Sequence, residues 1–243
     1  MRVLSALSGN GVEVGRVKAL WRYPVKSMGA ESLQSVALSW HGLEGDRRWA
    51  FVREGMVRNG FPWLTLRERP DLSHYLPSFL EPGRPNASPT LVQTPSGKKF
   101  DVADPALAVN LGGRVRAIKS DRGLFDTLPL ALLSTQAIAS LGAIVQTTLD
   151  AMRFRPNILI DATGDATFPE DAWVGSVLRI GGAWIRADKR DQRCVVVNID
   201  PTTTAGNPAI LRAIGREREA CLGIYGSTVT PGIISVGDPV VLG

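Results

Sequence analysis

Apolar and polar residues alternate along much of the chain, and this period-two pattern predicts short β-strands. Val17, Ala19 and Trp21 alternate with polar residues until Pro24 ends the pattern. Related patterns predict further strands over 32–40, 47–55, 114–121 and 155–162. Central turn residues, Ser96–Gly97 and Gly181–Gly182, predict hairpins over 90–102 and 176–188.

Two segments have helix signals instead. Ser134 is a predicted N-cap with Gly142 as the stop, and Asn207 is a predicted N-cap followed by Pro208 at the first helical position. The valine run in 194–200 predicts a central strand, and the stretch 77–89, with four prolines, predicts a loop.

Strands therefore dominate, and no regular alternation of strands and helices persists. This predicts a mainly β (α+β) protein built on antiparallel barrels with a few short helices. The segments VGSVLRIG (174–181) and VGDPVVLG (236–243) have similar openings and are predicted to be equivalent strands of one barrel. The proline-rich stretch and the charged residues around 120–123 indicate two β-rich halves.

Composition narrows the class of protein. With 243 residues and 44% hydrophobic residues, the chain can bury a real core and is not expected to be disordered. No apolar run reaches the ~18 residues of a spanning helix. The first 15 residues lack the apolar stretch of a secretion signal. We therefore expect a cytoplasmic protein with no membrane partner.

The net charge of +5 suits an anionic partner. The basic residues are scattered and no aromatic RNA-binding signature is present, so a small anionic ligand is favoured over nucleic acid. A basic nucleic-acid-binding barrel would require binding that weakens steeply with salt.

The sequence lacks the motifs of several common kinds of enzyme and cofactor site. The sequence has no phosphate-binding loop, no nucleophile elbow and no Cys-x-x-Cys pair. Two cysteines and two histidines do not suit a structural zinc site or a four-thiolate iron–sulfur cluster. If the protein transfers electrons, they must arrive from another chain.

Cys194 is the first candidate for chemistry. It follows Lys189, Arg190 and Arg193, and nearby positive charge favours a thiolate, which is a soft metal ligand. The alternative is an inert buried cysteine, because free cysteine is among the most buried residue types. Cys221 is expected to be of that inert kind.

Polar residues at strand ends form the second group of candidates. They are Lys26 and Ser27 after Pro24, Arg47 in EGDRRW, and Arg153, Arg155 and Asn157 in RFRPN. Lysine, serine, arginine and asparagine supply the donors that a phosphate or polar heterocycle needs. Each of them taken alone is more typical of an ordinary surface.

Taken together, these segments resemble the MOSC family, the molybdenum-cofactor-sulfurase C-terminal-like proteins. The first half resembles its N-terminal β-barrel domain through YPVKS (23–27) and GLEGDRRWAFV (42–52). The second half resembles the MOSC domain through RFRPNILID, FPEDAWVGSVLRIG, RC, VNIDPTT and PGIISVGDPVVL. The resemblance implies an N-terminal β-barrel domain over 14–120 packed on a MOSC-type β-barrel over 121–243.

The resemblance also implies a molybdenum–molybdopterin cofactor (Moco) whose metal is held by the pterin sulfurs and one protein cysteine. Cys194 matches that ligand, and it is also the residue expected to be catalytic. The matching cofactor-binding positions are Lys26, Ser27, Arg47, Thr127, Arg155, Asn157 and Arg193. A tungsten form of the cofactor fits the same ligands.

The activity implied is two-electron reduction of a small N-hydroxylated compound, such as an amidoxime, a hydroxylamine or an N-hydroxylated base. Electrons would come from a separate donor of ferredoxin, flavoprotein or cytochrome type. The alternative function is a non-catalytic carrier of the cofactor, or of sulfur held on Cys194.

Overall fold

The computed structural model describes residues 11–55 and 62–243, and within them strands predominate over helices, as predicted. In chain order the strands are β1 (Val12–Arg22), β2 (Glu31–Leu33), β3 (Ser35–Ser39), β4 (Gly42–Leu43), β5 (Trp49–Arg53), β6 (Leu76–Phe79), β7 (Thr90–Gln93), β8 (Lys99–Asp101), β9 (Val115–Lys119), β10 (Leu130–Ser134), β11 (Ile158–Ala162), β12 (Val177–Ile180), β13 (Ala183–Gln192), β14 (Cys221–Thr230), β15 (Gly232–Ser235) and β16 (Pro239–Leu242). The helices are α1 (Pro105–Asn110), α2 (Thr135–Val145) and α3 (Pro208–Arg218). Residues 1–10, on which most of the prediction about a secretion signal rests, lie outside the described residues.

Seven strands close into a barrel. Their spatial order is β11, β10, β14, β13, β12, β16 and β1, and β1 completes the ring by pairing with β11. The pairs are antiparallel except for β10 with β11. Fully buried apolar side chains, including Leu20, Ile158 and Ile185, fill the interior. The barrel confirms the predicted fold class, and the two similar segments indeed contribute adjacent strands, β12 and β16.

A smaller unit packs beside the barrel. It contains the sheets β5–β9 and β6–β7–β8 together with α1, around a separate apolar core. Although β1 belongs to the first part of the chain, it is a strand of the barrel formed otherwise by residues after 129. The predicted division between residues 120 and 121 stays a prediction.

Helices α2 and α3 cover one side of the barrel through a third apolar core. The predicted caps are present: the Ala137 amide donates to Ser134 Oγ at 3.0 Å and the Ala209 amide to Asn207 Oδ1 at 3.1 Å. The predicted stop at Gly142 is wrong, because α2 continues to Val145 and ends at left-handed Gln146. Gly142 instead permits a close approach, since a Cβ there would lie 2.9 Å from the Thr147 carbonyl oxygen.

Two other local predictions are also wrong. The stretch 77–89 is not all loop, because Pro77 lies in β6, an edge strand where a missing amide hydrogen is tolerated. The valine run is not a strand: β13 ends at Gln192, and Val195–Asn198 form a 3-10 turn. Successive side chains of such a turn point in different directions. Val196 thus packs on the core of the smaller unit and Val197 on the core beneath the helices.

Candidate active site

One cavity lies between the barrel and the smaller unit, and we call it the central cavity. It encloses about 890 Å³, part of which is open to solvent. All eight predicted site residues line it, namely Lys26, Ser27, Arg47, Thr127, Arg155, Asn157, Arg193 and Cys194. These residues come from positions up to 168 apart in the sequence, and the packing of the two units brings them together.

Cys194 is partly exposed at the beginning of the 3-10 turn that follows β13. The turn is held by Arg153, whose Nη1 donates to the carbonyl oxygens of Val197 and Asn198 at 3.4 and 3.1 Å. The Nη2 of Arg153 pairs with Asp200 at 2.7 Å. The cysteine therefore lies on a braced turn that opens into the cavity, and it is not sealed in an apolar interior.

One cation that contacts Cys194 was not predicted. The Arg67 side chain, from the smaller unit, hydrogen-bonds to Cys194, and this contact raises the pKa of Arg67. Of the three basic residues that precede Cys194, only Arg193 lines the cavity. Arg190 turns away and pairs with Glu219 at 2.9 Å. Sequence proximity thus identified Arg193 but not Arg67, because a contact between units has no signature along the chain.

Two guanidinium groups stack against one buried aromatic ring. Arg47 and Arg155 lie 4.7 and 4.2 Å from the centre of the Tyr23 ring. The Tyr23 hydroxyl donates to the Pro156 carbonyl oxygen at 3.0 Å, and burial raises the pKa of this phenol. Cation–π contact attracts each guanidinium group to a face of the ring and so favours a fixed position for it.

The two arginines differ in how their charge is compensated. Burial alone would lower the pKa of Arg47, but the neighbouring Asp46 carboxylate and Tyr23 outweigh it, and the pKa is raised. Burial lowers the pKa of Arg155 to about 10, and the charge of Arg47 adds to this effect. The Nη2 of Arg155 is buried and has no hydrogen-bond partner among the described residues. Arg155 therefore offers a donor and a positive charge to an anionic ligand.

Asn157 acts mainly within the protein. Its Oδ1 accepts from Arg47 Nη1 at 3.3 Å and from the Ala131 amide at 3.2 Å, and its Nδ2 donates to the Trp21 carbonyl oxygen at 3.2 Å. It lines the cavity but is almost fully buried. The geometry makes Asn157 a positioning residue for Arg47.

Lys26 also lines the cavity, and a neighbouring carboxylate holds its charge. Its Nζ donates to Asp126 Oδ1 at 2.6 Å and to the Leu124 carbonyl oxygen at 2.8 Å. Burial lowers the pKa of Lys26, and the Asp126 carboxylate opposes this. This pair ties the segment around Thr127 to the wall that carries Ser27.

Arg193 belongs to a buried network behind the cavity surface. Its Nε and Nη1 donate to the carbonyl oxygens of Leu222 and Phe154 at 2.7 and 2.8 Å, and its Nη2 lies 2.9 Å from Asp191. The pKa of Asp191 is raised, because the effect of burial exceeds the opposing effects of Arg193 and of a hydrogen bond with Tyr225. Asp191 and Tyr225 both line the cavity, and no motif pointed to Asp191.

Three of the eight non-glycine residues with positive φ among the described residues line the cavity. Ser27, Arg47 and Arg155 have φ angles of 68°, 48° and 52°, in the left-handed region that non-glycine residues rarely adopt. Each such conformation costs about 1–2 kcal/mol relative to ordinary backbone. Strain at three residues of one cavity supports its choice as the candidate site.

The residues present fit a phosphorylated pterin with a metal. Among the described residues, six cationic side chains and two carboxylates line the cavity, which suits an anion. The cations are Lys26, Arg47, Arg67, Arg153, Arg155 and Arg193, and the carboxylates are Asp126 and Asp191. Arg155 Nη2, which has no hydrogen-bond partner among the described residues, could donate to such an anion. Cys194 could supply a soft ligand to a metal.

Comparisons with known proteins identify two domain families along the chain. The sequence profile of the MOSC domain matches residues 120–241, and that of the MOSC N-terminal beta barrel domain matches residues 14–104. Among the described residues, no helix is both long and apolar enough to cross a membrane.

Curated relatives are distant. Mitochondrial amidoxime-reducing component 1 of Homo sapiens is 30% identical over 130 residues, which are 48% of this chain and 37% of that protein. The protein of the same name from Mus musculus is 24% identical over a 292-residue alignment that covers 95% of this chain and 83% of that protein.

A solved structure shares the fold. The YUAD protein from Bacillus subtilis superposes with a TM-score of 0.52 at 12% sequence identity, covering 93% of this chain and 94% of that one. The MOSC domain profile alone matches half of the chain, and the N-terminal profile matches most of the remainder. The chain belongs to the MOSC domain family.

Proposed function

We propose that the central cavity binds the molybdenum–molybdopterin cofactor and that the protein reduces small N-hydroxylated compounds with electrons from a separate redox protein. One observation carries the proposal: the eight residues expected from sequence to hold that cofactor line a single cavity. The names of the curated relatives, amidoxime-reducing components, support the same class of reaction.

The residues of the cavity divide into two groups. Lys26, Arg47 and Arg155 supply positive charge for the phosphate and pterin, with hydroxyl donors from Ser27 and Thr127. Cys194 supplies the protein's ligand to the metal, and the pterin supplies the other sulfurs. The cofactor, when bound, supplies two-electron transfer, and a tungsten form would need the same protein groups.

The reaction consumes two electrons and two protons. The N–O bond breaks, one proton adds to the nitrogen of the amine or amidine product, and the other adds to the hydroxyl oxygen, which leaves as water. The chain's own contribution is binding, orientation and charge compensation. Leu66, Phe154 and Val196 also line the cavity and reduce its access to water, which strengthens electrostatic interactions within it.

The test begins with elemental analysis and pterin fluorescence of the purified protein. Metal-loaded protein is then assayed anaerobically for reduction of benzamidoxime with an artificial electron donor. Cys194→Ala is expected to retain pterin and to lose turnover. Cys221→Ala is the matched control, because Cys221 lies at the start of β14 and does not line the cavity.

Two results would count against the proposal. Metal-loaded protein with no turnover of several N-hydroxylated substrates would overturn the enzymatic function. A sulfur label that accumulates on Cys194 without stoichiometric molybdenum would favour the carrier function instead.

A further inference from the structure

Arg67 lies on a rigid turn at the mouth of the central cavity. The amides of Glu68 and Arg69 both donate to the Thr65 carbonyl oxygen at 3.0 Å. Thr65 and Leu66 are buried, whereas the side chain of Arg67 is exposed. The turn thus presents one long cationic side chain to the open part of the cavity.

Arg67 stands apart from the arginines around Tyr23. Arg47 and Arg155 lie against that buried ring, whereas Arg67 reaches the cavity from the smaller unit and hydrogen-bonds to Cys194. A substrate that reacts beside Cys194 must therefore come within reach of Arg67. Phe125, which is partly exposed, also lines the cavity and offers an aromatic surface to the body of such a substrate.

The carboxylates of the cavity do not cancel this charge. Asp126 is held by Lys26 at 2.6 Å, although its charge also acts on Arg67, and Asp191 is held by Arg193 at 2.9 Å. The cations assigned to the cofactor compensate its negative charge, whereas Arg67 is exposed at the mouth of the cavity. A positive substituent on the substrate would be repelled by Arg67, and a negative one would be attracted.

We propose that Arg67 recognises an anionic group, a carboxylate or a phosphate, on the N-hydroxylated substrate, so that the enzyme prefers anionic substrates to neutral ones. This inference rests on the proposed function. Arg67 acts here on the choice of substrate, and the N–O bond is reduced with the electrons of the cofactor, which a redox protein replaces.

Matched substrate pairs test the preference. Benzamidoxime is compared with 4-carboxybenzamidoxime, and N-hydroxycytidine with its 5′-monophosphate, so that the two pairs separate carboxylate from phosphate recognition. For at least one pair, we expect kcat/KM to be about 10-fold higher for the anionic member, which corresponds to ~1.4 kcal/mol. The preference should shrink as salt rises from about 0.05 to 0.5 M, because salt screens an exposed charge pair.

The variants are judged by the ratio of the two kcat/KM values, which cancels any general loss of activity. Arg67→Gln is expected to bring the ratio close to one, and Arg67→Lys to retain most of it. Arg69→Gln is the control: Arg69 lies on the same turn but pairs with Asp71 and does not line the cavity. A wild-type ratio near one for both pairs, or a ratio that Arg67→Gln leaves unchanged, would overturn the inference.

Calorimetric binding of the amidine products gives a readout without turnover. The purified protein is expected to bind 4-amidinobenzoate about 10-fold more tightly than benzamidine, and Arg67→Gln should remove the difference. If both members of each pair are turned over without preference, the role of Arg67 is refuted and the proposed function is not. Absence of all turnover would refute the proposed function, and calorimetry would then decide on Arg67.

Discussion

Replacement of Arg155 by methionine is expected to stabilise the cofactor-free protein while it weakens cofactor binding. Methionine has an unbranched chain that matches arginine as far as Nε, and its thioether can retain an apolar contact with the Tyr23 ring, whose centre lies 4.2 Å from the guanidinium carbon. It removes a buried charge whose Nη2 has no hydrogen-bond partner among the described residues. The backbone strain at φ 52° is unchanged, because both residues have a Cβ.

The magnitude follows from the pKa of Arg155. Burial, the largest cause, lowers this pKa from its ordinary value to about 10. At 1.36 kcal/mol for each tenfold change in the acid constant, the charge costs the folded state about 3 kcal/mol. Loss of the cation–π contact offsets about 0.5–2 kcal/mol. We therefore expect a net gain of about 1–2.5 kcal/mol in the free energy of unfolding.

The pH dependence of this gain has a definite sign. The pKa of Arg155 is lower in the folded state, so the unfolded chain binds more protons and the cost is fully present below pH 10. The gain should therefore be constant around neutral pH and should diminish only as the pH rises above about 10 towards the ordinary pKa of arginine.

Urea unfolding of cofactor-free protein at pH 7 measures the gain, and pterin content measures binding. Arg193→Met is the matched control, because Arg193 donates to two carbonyl oxygens and pairs with Asp191. That variant should lose about 2–5 kcal/mol, since it leaves buried groups without partners. If Arg155→Met destabilised the protein as much as Arg193→Met does, the reasoning about an uncompensated charge would be refuted.

Three further variants test local features. Burial raises the pKa of Glu170, so Glu170→Gln should raise the Tm at pH 7 by a few degrees but not at pH 4, and an equal effect at both would contradict this. Gly142→Ala should lower the free energy of unfolding in urea by about 1–3 kcal/mol, because the new Cβ would meet the Thr147 carbonyl oxygen. Arg153→Met should make Cys194 react several-fold faster with iodoacetamide, because it frees the turn that follows; an unchanged rate would show that the turn holds without Arg153.

Local patterns were sufficient for most of the elements. The alternation through Val17 and Trp21 identifies a strand, and Asn207 with Pro208 identifies the start of α3, because strand pleat and helix capping depend on neighbouring residues. The same dependence on neighbouring residues led to the wrong prediction of a strand for the valine run after Cys194. Its preference for a strand was overridden by packing, since Val196 and Val197 enter two different cores.

The sequence alone determined which residue types are available for cofactor chemistry, because Lys26, Arg47, Arg155 and Cys194 occur in recognisable short motifs. Only the tertiary structure decided which of them share a cavity and that Arg67 joins them. The physical reason is that charge compensation and contacts across the two units depend on distance in space, and residues far apart in sequence leave no periodic signal of that distance.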